Sequence, residues 1–200
     1  MIKKLYLICR YFKENSGSYS GVFETFAKYA NKKGVEVTIL SGWKPGNKSI
    51  ENLGYATICR FHLSKWKVPL LGMNLDYLML SIGVKRFFKY NPIKEDEMII
   101  ANGRAALGVL NKRFILRSGQ PAIVPLKSME IAKDYLSIVT RVARLIHFIP
   151  QYFLEKICYK KAEAFLFPSI MTRGHVNKVS KIKGRASFVP FSMIKQGDLK

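Results

Sequence analysis

The sequence contains few cysteines and few histidines. Its three cysteines, Cys9, Cys59 and Cys158, lie far apart and match no metal-binding spacing. Cys9 and Cys59 fall in apolar runs typical of strands, which favours buried free thiols in a reducing compartment over disulfides. Three histidines in 200 residues are too few for a zinc site to be expected. We therefore expect neither a metal nor another resident cofactor.

Long hydrophobic runs, internal repeats and low-complexity segments are also missing. Residues 1–7 contain two lysines but no long apolar core, so we identify no signal peptide. The most apolar window, residues 68–84, is short for a membrane span and contains Pro69, Asn74 and Asp76. A cytoplasmic location is the resulting expectation.

Acidic residues are scarce as well. The chain has 13 Asp and Glu against 34 Lys and Arg, a formal charge of +21, and the basic residues are spread evenly along it. Such a charge attracts nucleic acid, anionic bilayers, phosphate-bearing substrates and acidic proteins alike. The hydrophobic fraction of 48% nevertheless indicates a globular chain, and 200 residues suit a single domain.

Short apolar runs alternate with amphipathic segments along the whole chain. The pattern predicts strands at 4–9, 35–40, 55–61, 98–101, 114–117, 164–167 and 187–189, and helices at 19–33, 75–90, 129–149 and 152–162. This alternation indicates an α/β fold with an open parallel sheet. Ligands of such sheets bind at the carboxyl ends of the strands. The loops after Cys9, Ala101, Arg117 and Phe167 are therefore the candidate binding loops.

The first of these loops contains Gly17 and Ser18, directly before a helix. A helix N-terminus with a small residue suits a phosphate, although an ordinary turn would use the same residues. Gly17 and Gly21 do not form the G-x-G-x-x-G motif of dinucleotide-binding proteins. The second strand ends Ile-Leu-Ser-Gly, without an acidic residue for a ribose. A nicotinamide or flavin enzyme is therefore disfavoured.

Four segments, taken in order, resemble one family. Residues 32–40, Lys-Lys-Gly-Val-Glu-Val-Thr-Ile-Leu, resemble the Lys-Arg-Gly-His-Glu-Val-Thr-Val-Leu of family 4 glycosyltransferases, and counting back places Gly17-Ser18 on the family's Gly-Gly pair. Residues 98–104 resemble its D-I-I-H-A-H-G stretch, residues 159–169 its R-A-D-x-V-I-A-P-S, and residues 188–192 its V-I-P-N-G-V-D. The chain thus resembles the amino-terminal, acceptor-side domain of a two-domain B-type (GT-B) glycosyltransferase.

This resemblance implies a Rossmann-like half of the GT-B fold, with helices on both faces of the sheet. It also implies a transferase that moves a sugar from a nucleotide-sugar donor to a glycan or lipid-linked acceptor. Gly17 and Ser18 would meet the donor phosphates. Asn102, Gly103 and Arg104 would line the acceptor or sugar cleft, although Asn-Gly is also a common turn.

Arg117 ends the fifth strand, where it could bind an acceptor phosphate or form a surface ion pair. Ser169 is more suited to capping the next helix. His62 and His147 lie in apolar surroundings typical of core histidines. No residue stands out as a general base. Many family members have a histidine after the fifth strand, where this chain has Arg-Ser-Gly-Gln.

The sequence stops at Lys200, about where the family enters its donor-binding domain. We therefore expect residues 1–200 to form a single N-terminal domain without the donor-binding domain, and the isolated chain to be inactive. A basic, apolar segment from Lys127 to Lys161 suits an anionic membrane surface, or it packs on the sheet with its lysines in solvent. Association with the inner membrane face is the corresponding expectation.

Three readings stay open. The domain is the acceptor-binding part of a glycosyltransferase, a non-catalytic half that needs a separate donor-binding chain, or a basic nucleic-acid-binding α/β module. The third is the weakest, because the basic residues are dispersed and no recognition motif accompanies them.

Overall fold

The computed structural model describes residues 1–15, 19–43, 46–63, 71–119, 121–132, 135–182 and 184–188. The strands in these ranges are β1 (Lys4–Cys9), β2 (Glu36–Gly42), β3 (Ile50–Asn52), β4 (Thr57–Phe61), β5 (Glu97–Asn102), β6 (Ile115–Arg117), β7 (Ala164–Phe167) and β8 (Arg185–Phe188). The helices are α1 (Tyr19–Lys32), α2 (Gly72–Tyr90), a 3₁₀ helix (Gly103–Val109), α3 (Ile123–Ile131), α4 (Ile138–Lys161) and α5 (Ile170–Val179). None of these helices is both long enough and apolar enough to cross a bilayer.

The strands form one sheet in the order β3-β4-β2-β1-β5-β6-β7-β8. Every neighbouring pair is parallel except β3 and β4. The central strand β1 has five buried residues of six, as expected for a strand covered on both faces. The predicted open parallel sheet is confirmed.

Two hydrophobic cores cover the two faces of the sheet. On one face, Phe23 and Ala27 of α1 pack against strand residues such as Leu7 and Ile39. On the other, α2, the 3₁₀ helix and α4 bury a larger cluster that includes Leu80 and Tyr159. Helices therefore lie on both faces, as predicted.

Two predicted helix ends are confirmed by local geometry. Gly34 has a φ of +75°, the left-handed conformation that glycine adopts at little cost after a helix. Ser169 caps α5, since its Oγ accepts a hydrogen bond from the Thr172 backbone N at 3.2 Å.

The predicted helices at 129–149 and 152–162 were wrong in their boundaries. The chain instead forms α3, ends it at Ile131, and starts α4 after Ser137, whose Oγ caps the Thr140 backbone N at 3.2 Å. Helix α4 then continues through Pro150. A proline removes one backbone hydrogen bond, and packing of α4 against α3 and the 3₁₀ helix outweighs that loss.

Strand β3 was not predicted. Its three residues pair antiparallel with β4 at the edge of the sheet. A three-residue segment carries too little periodicity to be recognised before its partner is known.

Candidate functional site

The strand order places a crevice beside β1. From β1 the chain first builds β2 and β4 on one side and then β5 to β8 on the other. The loops after β1 and β5 consequently leave in opposite directions, which opens a crevice at the carboxyl ends of these strands. A cleft of about 620 Å³ lies there, lined by the ends of β1, β5 and β6 and by residues of α2 and α4.

The cleft brings together some of the predicted site residues. Asn102, Gly103 and Arg104 all line it. Gly103 has a φ of +53°, which turns the chain sharply from β5 into the 3₁₀ helix. Gly17 and Ser18 lie outside the described residues, and Ser20, in the first turn of α1, reaches the cleft wall.

Arg117 lies beneath this wall. Arg117 is 2% exposed, and its Nη1 donates a hydrogen bond to Asn102 Oδ1 at 3.0 Å. The two residues are register partners on the parallel strands β5 and β6, which explains why their side chains meet. In this arrangement Arg117 orients the Asn102 amide from inside the protein.

A closed ionic network borders the cleft after β1. Asp76 Oδ2 accepts hydrogen bonds from Arg10 Nη2 at 2.6 Å and Nε at 3.1 Å, and from the Tyr11 hydroxyl at 2.9 Å. Burial and the bond to Asp76 raise the pKa of Tyr11, so the phenol stays protonated. This network ties the β1 loop to α2.

Arg104 lies at the cleft wall between α2 and α4. Its guanidinium carbon lies 4.5 Å from the ring centroid of Tyr77, a cation–π contact. Its Nη2 donates to the Met73 sulfur at 3.5 Å, and its Nε lies 3.8 Å from Glu155 Oε1. Its Nη1 is buried and has no hydrogen-bond partner among the described residues. Burial raises the pKa of Tyr77, and Arg104 opposes that rise.

Glu155 is held from the opposite side. Its Oε2 accepts from the Ala122 backbone N at 2.7 Å and from the Tyr159 hydroxyl at 3.2 Å. The Tyr159 hydroxyl also lies 3.2 Å from Ser118 Oγ. Burial raises the pKa of Glu155, while Ala122, Arg104 and Tyr159 oppose the rise. A buried carboxyl at a cleft wall is typical of functional sites.

Sequence reasoning missed the contribution of α4. His147, Gln151 and Glu155 line the cleft at intervals of four residues, and Gln151 Nε2 lies 2.8 Å from His147 Nε2. The available signal was the spacing of these three polar residues by four, which places them on one face of the helix. His147 thus lies at the cleft wall, and His62 is exposed and packs on Trp43 at 5.0 Å, so the predicted core placement was wrong for both.

The cleft therefore offers guanidinium, phenol, amide and carboxyl groups. Such a set recognises a ligand rich in hydroxyl groups or negative charge. Across the described part of the chain, no three His, Cys, Asp or Glu residues come together as a metal site.

The fold and the position of the cleft identify a structural class. The architecture is that of a Rossmann-like half of the GT-B glycosyltransferase fold. A structure of sucrose-phosphate synthase from Thermosynechococcus elongatus matches with a TM-score of 0.69 at 11% identity, over 94% of this chain and 48% of the other.

Two further solved structures match at lower scores. A UGT transferase from Siraitia grosvenorii in complex with UDP gives a TM-score of 0.56 at 9% identity, over 93% of this chain and 50% of the other. A UDP-forming α,α-trehalose-phosphate synthase from Burkholderia vietnamiensis gives 0.51 at 12% identity, over 95% and 47%. The chain spans about half the length of these proteins. No protein-family model and no curated sequence matches it.

Proposed function

We propose that this chain is the acceptor-side domain of a glycosyltransferase. In the complete reaction a sugar passes from a nucleotide-sugar donor to a hydroxyl of a glycan or lipid-linked acceptor. The observation that carries the proposal is the polar cleft at the carboxyl ends of β1, β5 and β6, in a fold shared with GT-B enzymes. The cleft would hold the acceptor, and the loop before α1, which contains Gly17 and Ser18, would meet the donor phosphates.

Ligand titration followed by NMR tests this assignment. Isotope-labelled chain is titrated with mono- and disaccharides, with sugar phosphates, with UDP and with UDP-glucose. We expect shifts of the Arg10, Asn102, Gly103 and Gly119 amides, which surround the cleft. Arg113 is an exposed residue that precedes β6 and does not line the cleft, and its backbone amide serves as the internal control. Failure of every sugar and nucleotide to shift the cleft amides would overturn the proposal.

Turnover separates a complete enzyme from a half that needs a partner chain. The chain alone is incubated with labelled nucleotide sugars and a mixture of glycan acceptors. We expect no transfer, because the matched enzymes are about twice as long and this chain would supply one side of the active site. Sustained transfer by the isolated chain would contradict the partner-chain reading.

We also propose that α4 docks on an anionic bilayer. Its outer face exposes large apolar side chains at helical spacing: Ile138, Val142, Leu145, Ile149 and Phe153. Arg141 and Arg144 lie within the same stretch, and the formal charge of the chain is +21. An exposed apolar stripe flanked by cations fits the boundary between headgroups and acyl chains.

Vesicle sedimentation tests the docking. We expect binding to vesicles that contain phosphatidylglycerol, weaker binding to neutral vesicles, and a marked loss in the double variant Val142→Ser, Phe153→Ser. The control is Ile50→Ser, which removes an apolar side chain of even greater exposure from edge strand β3. Equal binding by the double variant and the control would exclude docking of α4 on the bilayer. The apolar stripe would then be assigned to contact with another protein.

A further inference from the structure

The two guanidinium groups of the cleft differ in how fully they are bonded. Arg10 meets a carboxylate oxygen at 2.6 Å and 3.1 Å, and Asp76 carries no other guanidinium partner among the described residues. Each charge of this pair is balanced by the other. A ligand anion would have to replace this strong ion pair to bind Arg10, which is unfavourable.

Arg104 lacks such a short carboxylate bond, and its side chain interacts with the hydroxyl and ring of Tyr77 instead. Its Glu155 contact of 3.8 Å is too long for a hydrogen bond, and a thioether sulfur is a weak acceptor for its Nη2. Its Nη1 meets no acceptor in the described part of the chain. A buried charged donor without an acceptor is unfavourable. A ligand oxygen that accepts a hydrogen bond from this group supplies the missing bond and therefore binds favourably.

The surroundings of Arg104 hold it in position for such a ligand. The Tyr77 ring supports the guanidinium plane at 4.5 Å. Glu155 cannot close on Arg104, because its other oxygen is bound by the Ala122 N–H and the Tyr159 hydroxyl. About a tenth of the Arg104 side chain is exposed, and the residue lines the cleft.

The chemistry of the group favours a phosphate. A guanidinium presents paired N–H donors that match two oxygens of a phosphate. Lys13 lines the same cleft, and the chain's surplus of cations raises the local concentration of anions. Burial raises the pKa of Glu155, which favours the uncharged carboxyl group. An uncharged carboxyl group repels a bound anion less than a carboxylate does.

The position of Arg104 in the fold favours binding of the acceptor substrate over binding of the nucleotide-sugar donor. Arg104 contacts Met73 and Tyr77 of α2 and lies near Glu155 of α4, on the face of the sheet that those helices cover. The body of helix α1, which follows the predicted donor-phosphate loop, packs on the opposite face, and its first turn reaches the cleft wall at Ser20.

We infer that the acceptor held in this cleft carries a phosphate group and that Arg104 binds it. The inference rests on the proposed function, because it assigns a chemical class to the acceptor of that site. Two sources share this chemistry: a soluble sugar phosphate and a lipid-linked glycosyl phosphate. Either would place its phosphate against Arg104 and its hydroxyl groups toward the amides and phenols of the cleft.

Isothermal titration tests the inference with four ligands: glucose, glucose 6-phosphate, a short-chain alkyl glucosyl phosphate and UDP. The chain is compared with Arg104→Gln, which removes the charge, and with Arg104→Lys, which keeps the charge but loses the paired donors. Arg86→Gln is the matched control, since it removes one charge from the exposed side of α2. Circular dichroism and thermal unfolding confirm that each variant folds.

We expect one of the two phosphate esters to bind at least about tenfold more tightly than glucose, the effect of a charge-assisted hydrogen bond. The tighter ester identifies the source of the phosphate. Arg104→Gln should abolish this preference and leave UDP binding unchanged, Arg104→Lys should retain part of it, and Arg86→Gln should keep all of it.

Failure of the inference is distinguishable from failure of the proposed function. If glucose and both esters bind equally, and Arg104→Gln changes none of them, the phosphate assignment is overturned while sugar binding stands. If Arg104→Gln weakens UDP as much as the esters, the assignment to the acceptor is overturned. If no sugar binds in any form, the proposed function fails and the inference fails with it.

Discussion

Two helical glycines have opposite surroundings. A Cβ at Gly108 would lie 2.7 Å from the Val84 Cβ and 3.2 Å from the Ser81 carbonyl oxygen, where the 3₁₀ helix packs on α2. A Cβ at Gly174, inside α5, would meet nothing within 4 Å. We expect Gly108→Ala to lower the free energy of unfolding by about 1–3 kcal/mol through overpacking. Gly174→Ala should raise it by about 0.5–1 kcal/mol through helix propensity.

Urea unfolding of both variants measures these changes, and each variant is the control for the other. Equal effects of the two substitutions would mean that the close approach of the 3₁₀ helix to α2 does not exist.

Glu155 makes stability depend on pH. Burial raises its pKa above the ordinary value of 4.5, so the folded chain holds this proton more tightly than the unfolded chain. The benefit is full below 4.5 and is lost as the pH rises through the folded pKa. Glu155→Gln keeps an oxygen for the Ala122 N–H and cannot ionise. Its stability relative to the native chain should therefore increase as the pH rises above about 4.5.

Denaturant unfolding at several pH values tests this expectation. The carboxyl groups of Asp96 and Glu163, whose pKa values ion pairs lower, remain in both proteins and cancel in the comparison. A difference in stability that does not change with pH would contradict the raised pKa of Glu155.

The roles of single arginines were only partly predictable. The sequence marks Arg104 and Arg117 alike, because both follow or end apolar strands. Register pairing with Asn102 buries Arg117, whereas the left-handed turn at Gly103 brings Arg104 into the cleft. Arg10, Tyr77 and Glu155 escaped prediction because their partners are distant in sequence.

At the scale of elements, α5 depends on its cap. Ser169 Oγ satisfies the Thr172 N–H at 3.2 Å, and α5 anchors Val176 in the core. We expect Ser169→Ala to destabilise the domain by about 1 kcal/mol. Ser169→Thr, which keeps the hydroxyl, should retain most of the stability. A fully stable Ala variant in chemical denaturation would show that the cap contributes nothing.

Elements were predicted where their own residues specify them. Strands β1, β2, β5 and β7 have apolar runs long enough to be recognised, and α1 ends at a glycine. The break between α3 and α4 and the passage of α4 through Pro150 depend on packing against neighbouring helices, which local propensity does not describe.

For the molecule as a whole, charge is the dominant feature. The chain has 34 Lys and Arg against 13 Asp and Glu, and the self-repulsion of this excess positive charge destabilises the compact state. Raising the salt from about 0.01 M to about 0.1 M shortens the Debye length from about 30 to about 10 Å. We expect the melting temperature to rise over this range.

Differential scanning calorimetry in sodium chloride measures this effect. A melting temperature that falls or stays constant with salt would mean that attractive ion pairs, such as Lys4 with Glu36, outweigh the repulsion.

The sequence by itself determined the fold class, since alternating apolar strands and amphipathic helices are encoded locally and can assemble into few topologies. Of the four loops that it marked as candidates, those after Cys9, Ala101 and Arg117 border the cleft, whereas the loop after Phe167 does not line it. The tertiary structure alone decided which groups face that crevice, because burial and hydrogen bonding join residues from β1, β5, α2 and α4 that lie far apart in the chain. The polar cleft, with one arginine closed by Asp76 and another left open at Arg104, is a product of that assembly.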